Sequence, residues 1–381
     1  MKRCPTEPPA IDALQRACAA RADVIGLAGG LPDPALFPRA AMHAAMDAVV
    51  RARGLGAFQY GWPEGDGRLR EWLARRLSSP GRPLGAEDVV VTAGAQQAIA
   101  LAVDALAPAR VGVGAATYPA LLALLRARGV PATDGPRASV FYAMPEIGNP
   151  EGLPMDRGFA RALGRAPAIA DGAYAELRFD GASARAELAR PWTVFTFAKT
   201  LCPGLRIGCL VPPRERRAQV LRLKHVADLQ ASGLGQCMLA ELLARLDYDE
   251  HLARLRAVYA RRAEALADSL RRHLPSWSFR EPAGGFSIFV DTHEPGDDVA
   301  LLAAASAQGV SFDPGRLFRV RPHETLELRL CFSNASERRI DQGVARLARA
   351  WTAFTSRARA ADARRRCRAR RTTRPPSARS S

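Results

Sequence analysis

Through the middle of this 381-residue chain, short β-branched runs alternate with longer Ala/Leu/Arg-rich stretches. The runs "DVVVT" (88–92), "RVGV" (110–113), "SVFY" (139–142), "AIAD" (168–171), "WTVFTF" (192–197) and "IGCLV" (207–211) read as buried strands. Between several of them lie amphipathic segments such as "AQQAIALAVDALA" and "YPALLALLRAR". Alternation of this kind predicts an α/β domain built on a largely parallel sheet. A long helical stretch from about 236 to 273 follows. Then "GGFSIFV" (284–290), "GVSFD" (309–313) and "LELRLCF" (326–332) predict a smaller α+β lobe that ends in a helix near 336–354. No internal repeat is present. The length exceeds what one core usually supports, which predicts two domains or one large domain plus a lobe. The expected division is an N-terminal arm (1–36), a large domain (37–255), a small C-terminal domain (256–356) and a basic disordered tail (357–381).

The formal charge of +17 suggests nucleic acid at first sight, but it is unevenly placed. Residues 357–381 carry ten Arg against one Asp, so +9 lies in the tail and +8 in the rest. No helix-turn-helix, zinc-finger or RNA-recognition pattern accompanies it, and the tail reads as a solvated charge run. No apolar run approaches the roughly 18 residues of a membrane span. The N-terminus "MKRCPTEPPAIDALQR" has no apolar stretch of signal-peptide type, so a cytoplasmic protein without membrane contact is expected. Seven cysteines (4, 18, 202, 209, 237, 331, 367) are scattered and form no CxxC. Neither a disulfide scaffold nor a zinc site is expected from them.

Of 55 basic residues only three are lysines: Lys2, Lys199 and Lys224. Arginine cannot lose its proton at usable pH, whereas a lysine amine can once burial or a cationic neighbour lowers its pKa. Lys199, in the Gly/Pro-punctuated loop "TFAKTLCPGLRIG" (196–208), therefore hints at amine chemistry, Schiff-base formation foremost. Alone, one retained lysine can be chance. Seven residues on stands Arg206, flanked by glycines, where a guanidinium suits a phosphate. Upstream, "VTAGAQQA" (91–98) is a strand, a glycine turn and a helix start, which presents free backbone N–H groups to an anion. Asp171 ends a predicted strand, where ligand-binding side chains of open α/β sheets gather, and Tyr174 stands three residues on. An aspartate beside a lysine suits holding a pyridinium nitrogen protonated. Read alone, Asp171 fits a turn or N-cap equally well, and Asn149-Pro150 is only a turn signal.

Taken together and in this order, these residues resemble the pyridoxal-phosphate aminotransferases of fold type I, class I/II. The resemblance runs from about residue 24 to 352. It begins with "IGLAGGLPDPALFP" (25–38) and "FQYGWPEGDGRLREWLARRL" (58–77) and continues through "VTAGAQQA", "GNPEG", "DGAY" and "AKTLCPGLRIGCL". It closes with "PAGGFSIFVD" (282–291) and "ELRLCFS" (327–333). The 2-aminoadipate/kynurenine aminotransferase group is the branch it is most similar to, with the aminotransferase-like domain of GntR-type regulators beside it. The resemblance implies an α/β large domain with a mostly parallel sheet, a smaller α+β domain, and a homodimer acting on an amino acid and a 2-oxo acid.

It also implies roles. Lys199 would hold pyridoxal 5'-phosphate as a Schiff base and then shuttle a proton. Asp171 would pair with the pyridine nitrogen, while Tyr174 and Asn149 would bond the phenolic oxygen. Tyr118 would stack on the ring. The Ala95 and Gln96 amides, Thr196 and Arg206 would hold the phosphate, with Tyr60 reaching in from a second subunit. Arg329 would clamp the substrate carboxylate, with Asn149 beside it and Gly30 on the segment that closes over the site. Alone, Arg329 also reads as a strand-surface arginine and Tyr118 as core.

Several departures stand out. Serines are usual where Thr196 and Ala198 stand, and Gly148 replaces the usual Gln before Asn-Pro. The segment that usually carries a further strand is cut down to "VPATDGPRASV". The same residues serve other uses of the cofactor equally: elimination, replacement or cyclisation, or a cofactor-binding sensor derived from a regulator.

Overall fold

The computed structural model of the chain describes residues 9–135, 137–181, 188 and 191–372. Residues 1–8 of the expected arm and 373–381 of the expected tail lie outside the described residues.

The strands are β1 (Ile25–Gly26), β2 (Val90–Thr92), β3 (Val111–Gly112), β4 (Ala132–Thr133), β5 (Val140–Ala143), β6 (Ala168–Asp171) and β7 (Pro191–Thr196). They continue with β8 (Gly208–Val211), β9 (Ser278–Phe279), β10 (Ser287–Asp291), β11 (Val310–Ser311), β12 (Asp313–Pro314) and β13 (Glu327–Cys331). The helices are α1 (Pro9–Ala19), α2 (Arg39–Arg53), α3 (Gly67–Leu77), α4 (Ala95–Leu106), α5 (Pro119–Ala127) and α6 (Arg157–Leu163). After them come α7 (Arg217–Asp228), α8 (Gly233–Arg245), α9 (Tyr248–His273), α10 (Asp298–Ala307) and α11 (Glu337–Thr372).

Seven strands form one sheet in the order β2-β8-β7-β6-β5-β3-β4, with β8 antiparallel to both neighbours and the remaining pairs parallel. Each expected strand run of this domain is present, and most of its residues are buried because helices cover both faces of a parallel sheet. Val90, Val91, Val111, Ile169, Val194 and Leu210 are all fully buried. Each contributes on the order of 1.5–3 kcal/mol relative to exposure. The shortened segment "VPATDGPRASV" carries β4, which is two residues long and pairs with β3 at the sheet edge. Two ladder positions are enough to extend a sheet edge even in a shortened connection.

A second sheet, β12-β13-β10-β9, is antiparallel. The N-terminal strand β1 pairs in parallel with β11, which fastens the start of the chain beside this sheet. The single helical stretch expected over 236–273 is two helices, because the Asp247 carboxylate accepts from Glu250 N at 2.9 Å and starts α9 afresh. Helix α9 then runs unbroken across residue 255. Helix α11 also differs from expectation. It continues to Thr372 through most of the stretch expected to be disordered, since Ala and Arg are strong helix formers and the first turns are already packed. Among the described residues no helix is long and apolar enough to cross a membrane.

Candidate active site

Three loops leave the carboxyl edge of the large sheet and converge. Strand β2 ends at Thr92 and turns through Gly94 (φ +87°), a conformation open to glycine, into the N-terminus of α4. The first N–H groups of that helix have no intrahelical partner and point out of the turn. A Cβ at Gly94 would lie 2.9 Å from Arg206 Nη2, so the guanidinium packs directly over the turn, where it donates to Ala93 O at 3.1 Å. Arg206 itself sits in the left-handed region at φ +52°. Gln96 donates to Ala120 O at 3.4 Å, while its buried Oε1 has no partner. The side chain of Thr196 is turned inward. Its hydroxyl donates to Ile207 O at 3.2 Å and accepts from Ala198 N, so it braces the Lys199 turn.

Asp171, at the end of β6, is buried. Its Oδ2 accepts from the Tyr142 hydroxyl at 2.6 Å and its Oδ1 from Ala173 N at 2.9 Å. Burial raises its pKa, and those two donors together with Lys199 pull against the rise. Tyr142 was legible only as a core residue of "SVFY"; nothing in the sequence marks its hydroxyl.

Lys199 lies in the turn after β7, its Nζ 5.6 Å from the Tyr174 ring centre and 5.7 Å from that of Phe286. It donates to Gly30 O at 2.9 Å. Burial, then the Arg329 cation, lower its pKa to about 8 against the opposing pull of Cys331 and Asp171. The next residue is pinned from behind. Tyr248 Oη lies 2.8 Å from Thr200 Oγ1 and 2.7 Å from Glu176 Oε2, Arg76 Nε donates to Glu176 at 2.7 Å, and His251 Nε2 lies 2.7 Å from Thr200 O.

Arg329, on β13, is buried, and its guanidinium carbon stands 4.8 Å from the Phe318 ring centre. Its Nη1 donates to Asn149 Oδ1 at 2.8 Å, and its Nε and Nη2 donate to Asp313 Oδ2 at 2.9 and 2.7 Å. Burial opposes its charge, but Asp313, Cys331 and Tyr174 together outweigh this and its pKa is raised. Asn149 thereby keeps its Nδ2 as the end free to donate. Gly30 closes the ring of residues: a Cβ there would be 3.5 Å from Tyr174 Oη and 3.6 Å from Arg329 Nη1. Tyr118 caps α5 and is near enough for Asp171, Arg206 and Arg329 to act on its hydroxyl, whose pKa is raised chiefly by burial. Of the expected residues only Tyr60 stands apart, 78% exposed on the surface.

The profile of the family "Aminotransferase class I and II" matches residues 146–347, more than half of the chain. The chain belongs to this family. Its fold is that of the fold type I enzymes. It is 31% identical over 374 residues to the 2-aminoadipate transaminase of Thermus thermophilus, covering 87% of this chain and 90% of that one. It is 27% identical over 371 residues to an aromatic-amino-acid aminotransferase of Thermococcus litoralis, covering 86% and 87%. The α-aminoadipate aminotransferase of Thermus thermophilus, solved with N-(5'-phosphopyridoxyl)-L-leucine, superposes with a TM-score of 0.80 at 26% identity over 91% of this chain and 97% of that one.

The protein is thus a pyridoxal-phosphate-dependent aminotransferase, and the residues present fit that cofactor. Arg206 packs over the glycine turn at the start of α4, where free N–H groups and a guanidinium suit a phosphate, Asp171 is a buried carboxylate, and Lys199 is an amine of lowered pKa on which Asp171 and Arg206 both act.

Proposed function

We propose that Lys199 is the residue that holds pyridoxal phosphate and moves the proton when this aminotransferase passes an amino group from an L-α-amino acid to a 2-oxo acid. The observation that carries this reading is the placement of one amine, with a pKa of about 8, beside both the Arg329 fork and Gly30. The cofactor, when bound, supplies an electron sink for the bond electrons at the substrate Cα. The chain supplies the rest. The Ala95 and Gln96 amides and Arg206 anchor the phosphate at the α4 terminus. Asp171, whose ionised form Tyr142 and Ala173 favour by donating to it, would pair with the ring nitrogen and keep it protonated. Asn149 Nδ2 and Tyr174 Oη donate toward the phenolic oxygen, and Tyr118 covers the ring. Arg329 takes the carboxylate, with Asn149 bonded to its Nη1, and so brings the substrate Cα to the Lys199 amine, which is the base for that proton.

The reading includes a cytoplasmic homodimer. Phe58, Tyr60, Trp62, Val226 and Leu229 are exposed by 62, 78, 77, 87 and 47%. They form one surface, because Gln230 accepts from Gly61 N and so joins the two segments that carry them. An apolar face of this kind favours a second copy of the chain, which would bring Tyr60 to the partner's phosphate cradle. Cys18, Cys202, Cys209, Cys237 and Cys331 are free and buried, in keeping with a reducing compartment.

The deciding experiment is an absorption spectrum of the protein loaded with pyridoxal phosphate, before and after each of a panel of L-amino acids, beside Lys199→Ala. A band near the visible edge that bleaches with some amino acids and is absent in the variant supports the reading. A bleaching band that survives Lys199→Ala refutes the role of Lys199.

A further inference from the structure

The Arg329 clamp carries a buried anion of its own. Asp313 is 4% exposed and stands opposite Arg329 in the β12–β13 ladder. Its Oδ2 accepts four bonds, from Arg329 Nε, from Arg329 Nη2, from Gly29 N at 2.9 Å and, at 3.8 Å, from Cys331 Sγ. Its Oδ1 accepts from Gln15 Nε2 at 2.9 Å. One carboxylate therefore ties together the clamp, the glycine segment over it and the N-terminal helix α1. It occupies the Nε edge of the guanidinium and leaves the Nη1/Nη2 end, beside Gly30, directed toward the site. A guanidinium offers two separate bidentate edges, so one held from behind presents the other in a single orientation.

We propose that Asp313 is a positioning residue: it sets the orientation of Arg329 and ties the Gly29–Gly30 segment across it, so that a substrate carboxylate meets a preformed fork under a closed segment. This rests on the reading of Arg329 as the carboxylate clamp. Asp313 makes no hydrogen bond to Lys199 or Asp171, so its direct effect falls on binding, and it reaches the Lys199 amine only through the Gly29–Gly30 segment.

The test uses the full chain loaded with pyridoxal phosphate. In Asp313→Ala the Gly29 amide loses its acceptor, and hydrogen exchange of the peptide spanning residues 24–33 becomes at least about tenfold faster. The KM values for 2-oxoglutarate and for the amino acid of strongest spectral response rise at least about tenfold, with kcat within about threefold. Asp313→Asn restores both readouts to within about threefold. Its oxygen serves Arg329 and Gly29, and Gln15 turns its amide over to accept from the new Nδ2. Unchanged exchange in the alanine variant overturns the proposal, as does a loss confined to kcat. A fall in KM would make Asp313 a competitor for the clamp and overturn it equally. Arg329→Gln separates the two levels. If it leaves both KM values unchanged, the clamp reading itself fails; if it raises them while Asp313→Ala does not, only the Asp313 inference fails.

Discussion

Lys199→Met in the cofactor-free protein tests the electrostatic basis of the site without any turnover. The amine pKa falls from 10.5 to about 8 on folding, chiefly through burial and the Arg329 cation. That drop corresponds to roughly 3 kcal/mol of destabilisation at neutral pH, an upper figure because the side chain keeps some solvent contact. Because the folded value lies below the unfolded one, unfolding takes up a proton between about pH 8 and 10.5. Stability of the wild-type chain relative to the methionine variant therefore rises with pH through that window, and the deficit is complete below it. The variant also loses the 2.9 Å bond to Gly30 O, which shifts the difference by about 1–3 kcal/mol at every pH and leaves its slope untouched. Urea unfolding of both proteins at pH 7 and 9.5 should show the variant's relative advantage shrinking by roughly 2 kcal/mol. A difference constant to within about 0.5 kcal/mol would put the amine near its ordinary pKa and refute the reasoning. The functional stake is the neutral fraction at pH 7: about one in ten with the lowered pKa, against about one in three thousand for a free lysine.

Two further substitutions probe the cofactor cradle. Gly94→Ala places a Cβ 2.9 Å from Arg206 Nη2 at φ +87°. It should cost about 1–3 kcal/mol and weaken pyridoxal phosphate binding at least about tenfold by fluorescence titration; affinity within about twofold of wild type would remove Arg206 and the glycine turn from the cradle. Tyr142→Phe deletes the 2.6 Å donor to Asp171. Since that bond lowers an already raised carboxyl pKa, its loss moves the acid limb of cofactor binding to higher pH and weakens affinity about tenfold; an unmoved limb would mean that Ala173 N alone keeps Asp171 ionised.

Much of the site was legible along the chain because its chemistry demands particular residue types at loop positions. Lys199 stood out as an amine among arginines, Asp171 as a carboxylate at a strand end, and Gly94 as the turn before a helix start. The residues that were not legible act through partners far away in sequence. Tyr142 reads as one more aromatic in a buried strand, and only the β5–β6 pairing sets its hydroxyl against Asp171. Asp313 reads as the end of "GVSFD", and only the β12–β13 register sets it opposite Arg329. Glu176, Tyr248 and Arg76 come from three separate elements to brace the lysine turn. The break at Asp247 was missed because the apolar period persists on both sides of it. The inward turn of Thr196 was missed because a hydroxyl's partner is chosen by local geometry and leaves no trace in residue type.

The sequence by itself determined the α/β layering, because buried parallel strands and amphipathic crossovers leave separate hydrophobic patterns, and it singled out Lys199 as the candidate amine, because no other side chain in that loop can form an imine. Only the tertiary structure decided that Gly30, Asn149, Lys199, Asp313 and Arg329 meet. Strand order, register and the closing of the N-terminal segment follow from long-range packing, in which a displacement of one residue would turn every one of these side chains to the opposite face.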